Sequence, residues 1–127
     1  MSAKILIVED NEVTGKFLHS LLSGKGYEVK ILQEGSEVVD EARIFSPHLI
    51  LMDILLPDMN GAEAVKMLQD DARTCNIPVI FLSAVLDQND KEGNTITVND
   101  IVYPAFGKSI TTKNFLNAIQ KALKKNP

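Results

Sequence analysis

The sequence predicts an alternating α/β fold built on a mostly parallel sheet. Short apolar, β-branched runs recur along the chain, and amphipathic helical patterns lie between them, which is the pattern of βαβ units. Several of these runs are almost continuously apolar, which is typical of strands covered by helices on both faces. The five runs are residues 4–8, 27–32, 48–53, 77–83 and 101–106.

The five strand candidates are expected to differ in burial. The first, third and fourth runs, "KILIV", "HLILMD" and "IPVIFLS", are nearly unbroken in apolar residues and are expected inside the sheet. The second, "YEVKIL", alternates apolar with charged residues, which favours a place at or near an edge. The fifth, "IVYPAF", makes the predicted sheet five-stranded.

Caps and apolar residues at helical spacing predict the helices. Asn11 is expected to cap the first helix and Ser36 the second, the third begins near Gly61, and the last begins after Thr111 or Thr112. The apolar face of the first helix is predicted to contain Val13, Phe17, Leu18, Leu21 and Leu22.

The region between the fourth and fifth strands has the weakest pattern. It contains Gly93, two Asn-Asp pairs and the β-like stretch "TITV". A short helix near residues 87–92 followed by irregular chain, and a full fourth helix, are the two alternatives.

Composition limits the functional classes. The chain has 127 residues, a net charge of −4 and one cysteine, and 45% of its residues are hydrophobic. The negative charge does not favour nucleic acid or an anionic membrane surface, and no apolar run approaches the roughly 20 residues of a membrane span. A single cysteine excludes an internal disulfide and fits a reducing compartment. We therefore expect one cytoplasmic domain over residues 1–127, without an output domain.

Polar residues follow four of the five predicted strands. Glu9 and Asp10 follow the first, Asp53 ends the third, Ser83 ends the fourth and Lys108 follows the fifth. Ligands of open α/β sheets bind beyond the carboxyl ends of the strands, so these side chains are expected at one edge. Each alone is more often a turn, cap or surface residue, but their joint occurrence favours a site.

The chemistry of this set points to phosphoryl transfer. Clustered carboxylates repel one another, and a hard cation such as Mg²⁺ relieves the repulsion. A carboxylate can also act as a nucleophile and form an aspartyl phosphate. A lysine would then neutralise charge on the phosphoryl oxygens, and a small hydroxyl would donate a hydrogen bond to one of them.

Four motifs, "ILIVEDN", "LILMDILLPDMNG", "PVIFLSA" and "FGKSI", resemble those of the bacterial response-regulator receiver domain of two-component signalling. The resemblance covers the whole chain, and the spacings between Asp10, Asp53 and Ser83 fit the family. It implies a flavodoxin-like (βα)₅ fold with a five-stranded parallel sheet and helices on both faces, the fourth helix being short or irregular here.

The resemblance also implies roles for individual residues. Asp53 would accept a phosphoryl group from a histidine kinase or histidine phosphotransferase, Lys108 would contact that group, and Ser83 would move towards it on activation. The Mg²⁺ ligands would be Glu9, Asp10, Asp53 and the backbone carbonyl of Leu55.

The chain departs from the family pattern after the fourth strand. Ser109 replaces the usual proline, which often follows a cis bond, and Ala105 replaces the usual switch aromatic. The interval from Ser83 to Lys108 is also longer than usual. Ser109 bears on where Lys108 is placed. Ala105 has no aromatic ring that could rotate together with movement of the Ser83 hydroxyl.

Three functions are therefore compared. The first is a stand-alone receiver that accepts phosphate on Asp53 and signals by contact with a downstream protein, without enzymatic turnover beyond slow loss of phosphate. The second is a pseudo-receiver that acts as an interaction module independent of phosphorylation. A small phosphohydrolase ranks last, because Leu55 stands where such enzymes commonly carry a second aspartate.

Overall fold

The computed structural model describes residues 2–84 and 94–124, which form one six-stranded sheet and four α-helices. In chain order the elements are β1 (Lys4–Val8), α1 (Glu12–Gly24), β2 (Glu28–Leu32), α2 (Val38–Phe45), β3 (Leu49–Asp53), α3 (Gly61–Gln69), β4 (Val79–Ser83), β5 (Asn94–Val98), β6 (Ile101–Gly107) and α4 (Thr112–Lys124). A short 3₁₀ helix, Gly35–Glu37, precedes α2.

The strand order is β2-β1-β3-β4-β6-β5. All neighbouring pairs are parallel except β5 with β6, which is antiparallel. The predicted flavodoxin-like α/β class is confirmed, as is the edge position of β2. The predicted count of five strands is wrong, because β5 adds a sixth at the opposite edge.

The core consists of two apolar layers, one on each face of the sheet. On one face, Leu6, Ile50 and Phe81 belong to the cluster that includes the apolar residues of α2 and α3. On the other face, Ile7 and Leu51 belong to the cluster formed with α1 and α4. Because successive strand residues alternate between two buried faces, the central strands are continuously apolar, as predicted.

The antiparallel hairpin of β5 and β6 has a local cause. Asn99 and Asp100, which join the strands, both have positive φ, at 51° and 67°. Two such residues match the twist of a two-residue hairpin turn, and Asn and Asp tolerate this conformation. The Asn-Asp pair between β-branched runs was therefore a hairpin signal. A short helix near residues 87–92, one of the two predicted alternatives, lies outside the described residues. Both the irregular chain expected after it and a full fourth helix are wrong over Asn94–Val98, which forms β5.

The helix starts confirm some predicted caps and correct others. The Asn11 side chain accepts a hydrogen bond from Thr14 N–H (2.9 Å), as predicted for the cap of α1. The prediction for Ser36 is wrong, because it lies within the 3₁₀ helix and α2 starts at Val38. Among residues 2–84 and 94–124, each helix falls short of the length and hydrophobicity that a membrane span requires.

Candidate functional site

Neighbouring parallel strands bring the predicted acids together. β1 and β3 pair in register, with Val8 opposite Met52, so the residues that follow Val8 lie beside Asp53 at the end of β3. Glu9, Asp10 and Asp53 each offer a carboxylate oxygen, and these oxygens all lie within 4.8 Å of one another. The predicted acidic cluster therefore exists at the carboxyl edge of the sheet.

The three acids differ in exposure. Glu9 and Asp53 are only 3% and 5% exposed, whereas Asp10 lies at the surface. The N–H of Asn11 donates to Glu9 Oε2 (3.0 Å), and the N–H of Leu55 is 3.4 Å from Asp53 Oδ1. Backbone groups thus orient the two buried carboxylates, while Asp10 opens the cluster to solvent.

Lys108 follows β6, two strands away from β3, and reaches the cluster along the same edge of the sheet. Its Nζ is 2.7 Å from Glu9 Oε1 and 3.1 Å from Asp53 Oδ2. The Lys108–Ser109 peptide bond is trans, as are the other described peptide bonds, so the ammonium reaches Asp53 without the family's proline. The sequence predicted Lys108 at this edge within reach of the acids, but not its direct pairing with Glu9, because strand ends show which residues share an edge and not which side chains touch there.

Burial and ion pairing shift the pKa values at the site in opposing ways. Burial raises the pKa of Glu9 above its usual value, and the Lys108 ammonium offsets this only in part. Burial lowers the pKa of Lys108, but the hydrogen bonds to Glu9 and Asp53 outweigh it and the pKa is raised overall. The lysine is therefore held as a cation between two buried carboxyl groups.

Ser83 lies next to Lys108 through the backbone. β4 and β6 pair with Ser83 opposite Gly107, and the Lys108 N–H donates to the Ser83 carbonyl at 3.1 Å. Ser83 is buried at the end of β4. Its register places it at the same sheet edge as the acids, where the sequence predicted it.

The loop after Asp53 is held by close contacts at Gly61, which the sequence placed at the start of the third helix, and at Asp58, which the sequence did not single out. The Gly61 N–H donates to the Ile54 carbonyl (2.7 Å), and a Cβ at Gly61 would overlap the Asp53 carbonyl oxygen. The Asp58 carboxylate accepts from the N–H groups of Gly35 (3.0 Å) and Ser36 (2.8 Å). The glycine at position 61, at the start of a predicted helix, could have indicated a close backbone contact. Nothing in the local sequence indicated the two bonds of Asp58.

Tyr103 lies on the same face of β6 as Ala105. Both are buried in the core cluster on the α2–α3 side, whereas Phe106 packs on the other side, as strand alternation predicts. The Tyr103 ring meets Phe81 edge-on, and its hydroxyl accepts from Gln69 Nε2 at 2.8 Å. Tyr103 thus lies two residues before Ala105, the family's switch position, and its hydroxyl is hydrogen-bonded to Gln69 of α3.

This donor set fits a hard divalent cation. Three carboxylates converge, one of them solvent-facing, and Mg²⁺ prefers oxygen ligands with remaining positions for water and phosphate. The same set places a nucleophilic carboxylate beside an ammonium group. Such an arrangement can receive a phosphoryl group and neutralise its charge.

Most of the chain matches a family model. Residues 5–120 match the model described as the response regulator receiver domain. Curated relatives include the polar-differentiation response regulators DivK of Brucella ovis and Brucella abortus (strain S19). Each is 42% identical over 92 residues, which is 72% of this chain and 75% of the relative.

Solved structures show the same fold. The receiver domain of the sensor histidine kinase PA1611 from Pseudomonas aeruginosa PAO1 is 25% identical, with a TM-score of 0.82 over 98% of this chain and 99% of that one. It contains a magnesium ion coordinated in the active site cleft. A CheY-like receiver domain from Methylobacillus flagellatus, 19% identical, shares the fold with a TM-score of 0.78 over 96% and 99% of the two chains.

Proposed function

The chain belongs to the response regulator receiver domain family, and we propose that it accepts a phosphoryl group on Asp53 and signals through contact with another protein. One observation carries this proposal: the carboxylates of Glu9, Asp10 and Asp53 converge while Lys108 bridges two of them. Buried carboxylates close to one another lower the stability of the folded protein, so such a cluster is expected where it has a chemical function, and phosphoryl transfer is one that uses it.

In the proposed reaction, a carboxylate oxygen of Asp53 attacks the phosphorus of a phosphohistidine on a kinase or phosphotransferase. An O–P bond forms, the P–N bond breaks, and the departing imidazole keeps the electron pair and takes a proton. Lys108, already 3.1 Å from Asp53 Oδ2, balances charge on the transferred group. The Ser83 hydroxyl would donate to a phosphoryl oxygen, and slow hydrolysis of the acyl phosphate would restore the carboxylate.

The residues present suit Mg²⁺. Glu9, Asp10 and Asp53, with the Leu55 carbonyl, would hold the ion, which would neutralise phosphoryl oxygens when bound. The Mg²⁺-bound receiver domain of PA1611 supports this assignment by likeness. The ammonium of Lys108 also pairs with Glu9 and so compensates part of the charge of the buried carboxylates.

A protein partner would reach the site over α1. Val13 and Phe17, one helical turn apart, are 79% and 59% exposed, although the sequence pattern placed them on the apolar face with buried Leu18 and Leu22. Asn11, which caps this helix, donates its backbone N–H to the Glu9 carboxylate. The helix that carries the exposed pair therefore begins directly at the acidic cluster. We assign this apolar pair to contact with the phosphate donor.

The test is phosphorylation with acetyl phosphate and Mg²⁺, followed by intact mass spectrometry. We expect the wild type to gain one phosphoryl group that hydroxylamine removes, and Asp53→Asn to gain none. Glu63→Gln, at an exposed acid in the first turn of α3, is the matched control and should still be labelled. Labelling of Asp53→Asn equal to wild type would refute the assignment of the acceptor.

The donor surface is tested separately. Phe17→Glu should slow transfer from a cognate kinase by at least about tenfold while labelling by acetyl phosphate stays unchanged, since the small donor needs no docking surface. Equal slowing of both reactions would show that the variant disturbs the site rather than docking.

A second candidate is an interaction module independent of phosphorylation. The buried Ala105 and the β5–β6 hairpin favour it, because alanine stands at the family's usual switch aromatic and β5 is a strand that the family resemblance did not imply. Beryllofluoride with Mg²⁺ distinguishes the two candidates. Shifts of the NMR resonances of Ser83 and Lys108 support the phosphoacceptor, whereas unchanged spectra support the module.

A further inference from the structure

β5 is the outermost strand of the sheet. It pairs with β6 on one side, and the described residues place no strand on its other side. An edge strand exposes backbone N–H and C=O groups that can pair with another chain, so natural proteins usually protect such edges with charges, proline or bulges. The two edges of this sheet can therefore be compared directly.

The β2 edge carries such protection and the β5 edge does not. β2 has Glu28 and Lys30 within its five residues, whereas Asn94–Val98 has neither charge nor proline and reads "NTITV". Four of those five residues are β-branched, which favours extended pairing. The β5 edge therefore has neither charges nor proline to prevent pairing with a further strand.

The sequence of this edge is complementary to itself. Read in either direction, residues 95–97 are Thr-Ile-Thr. In an interface with two-fold symmetry, the same segment of each copy must pair with itself, so that residue i meets j and j meets i. Antiparallel pairing centred on Ile96 places Ile96 against its copy and Thr95 against Thr97, with no like charges opposed.

We propose that β5 pairs with β5 of a second copy of this chain, joining two six-stranded sheets into one continuous sheet. The occupant is a second copy because the segment is palindromic and uncharged, which suits self-pairing and offers a partner of opposite charge nothing to recognise.

The backbone geometry fits this register. Hydrogen-bonded and non-hydrogen-bonded pairs alternate along an antiparallel ladder, so every second residue of β5 directs its N–H and C=O away from β6. Val98 and Ile101 close the two-residue turn and are expected to form a hydrogen-bonded pair, which leaves Thr95 and Thr97 as the outward-directed residues. Their backbone groups, and their exposed hydroxyls, would then pair with Thr97 and Thr95 of the second copy.

Sedimentation velocity over a concentration series tests the proposal. The wild type should dimerise, and Thr95→Lys with Thr97→Lys should raise the dimer dissociation constant by about tenfold or more, since lysines then oppose one another across the axis. Thr95→Glu with Thr97→Lys should restore wild-type dimerisation, because each glutamate then faces a lysine. A wild type that stays monomeric at millimolar concentration overturns the proposal.

The matched control is Val102→Lys. Val102 is opposite Thr97 on β6 and is 60% exposed, but it lies one strand inside the edge. This variant should dimerise as the wild type does. Equal loss of the dimer in Val102→Lys would show that the interface is not the β5 edge.

Crosslinking tests the register. In a Cys75→Ser background, Ile96→Cys should form an intermolecular disulfide on oxidation, because the symmetric pair lies within the separation that a disulfide spans. Val102→Cys should not. Crosslinking at residue 102 that equals or exceeds that at residue 96 would overturn the proposed register.

Discussion

The carboxyl edge formed by β1 and β3 and the hairpin of β5 and β6 belong to the same sheet but are built differently. At the first, buried carboxylates, an ammonium and close backbone contacts fix one arrangement around Asp53. At the second, a two-residue turn and the side chain of Gln69 hold a strand that the family resemblance did not imply.

The difference lies in how tightly each region is constrained. The phosphoryl transfer that we propose would need closely placed groups, and the buried ion pairs and the backbone contact at Gly61 leave the residues around Asp53 few alternatives. The hairpin contributes Val98 and Tyr103 to the core and is held by a two-residue turn and the hydrogen bonds of Gln69. We expect substitutions at the two regions to have correspondingly different effects.

The largest effect is expected at Gly61. Gly61→Ala would force the added Cβ into the Asp53 carbonyl oxygen, displacing either the start of α3 or the end of β3. We expect a loss of about 3 kcal/mol in the free energy of unfolding, and impaired labelling by acetyl phosphate, because the displaced backbone carries the proposed phosphoacceptor Asp53. Urea unfolding and the labelling assay measure the two effects.

Gly24→Ala is the control for this substitution. Gly24 ends α1 in open space, so its added Cβ should leave stability unchanged or raise it by up to about 1 kcal/mol. Similar stabilities for the two variants would contradict the claim that the site edge is the tightly constrained region.

The next effect concerns Lys108. Lys108→Met removes the cation between Glu9 and Asp53 and leaves two buried carboxylates facing each other. We expect the free energy of unfolding to fall by about 2 kcal/mol without Mg²⁺ at neutral pH, and to recover in part when Mg²⁺ is added, since the ion would restore charge compensation. Thermal unfolding with and without Mg²⁺ measures both.

Lys16→Met is the matched control on the surface. Lys16 pairs with Glu12 at 3.5 Å, and both side chains are largely exposed, so this variant should lose no more than about 0.5 kcal/mol and show no Mg²⁺ dependence of its own. If Lys108→Met is as stable as the wild type without Mg²⁺, the site does not depend on this ion pair.

The smallest effect is expected in the hairpin. Tyr103→Phe removes the hydroxyl that accepts from Gln69, whose amide keeps its second bond to the Val98 carbonyl at 3.0 Å. We expect a loss of about 1 kcal/mol in the free energy of unfolding and no change in labelling of Asp53.

Tyr27→Phe provides the comparison for a tyrosine hydroxyl without a hydrogen bond to another described residue, and it should be close to neutral. Reduced labelling of Tyr103→Phe at unchanged stability would show that the hairpin is coupled to the phosphoacceptor, and the contrast between the two regions would fail.

Much of this protein could be predicted from the sequence. Continuous apolar runs required strands with two buried faces, and their alternation with helical patterns required parallel pairing. Parallel pairing in turn predicted that Glu9, Asp10, Asp53 and Lys108 would meet at one edge. The positions of these residues at strand ends held that information, because every strand of a parallel sheet ends on the same side.

Other features depended on contacts between distant parts of the chain. The pairing of Lys108 with Glu9, the bond from Gln69 to Tyr103 and the exposure of Phe17 on an apolar helix face follow from how the elements pack. The sixth strand had a local signal in its Asn-Asp turn, but the sequence predicted irregular chain or helix there, and the pairing with β6 decided for a strand. Local sequence set the ends of the strands, whereas tertiary packing decided which side chains met there, because that choice depends on the energies of all competing contacts.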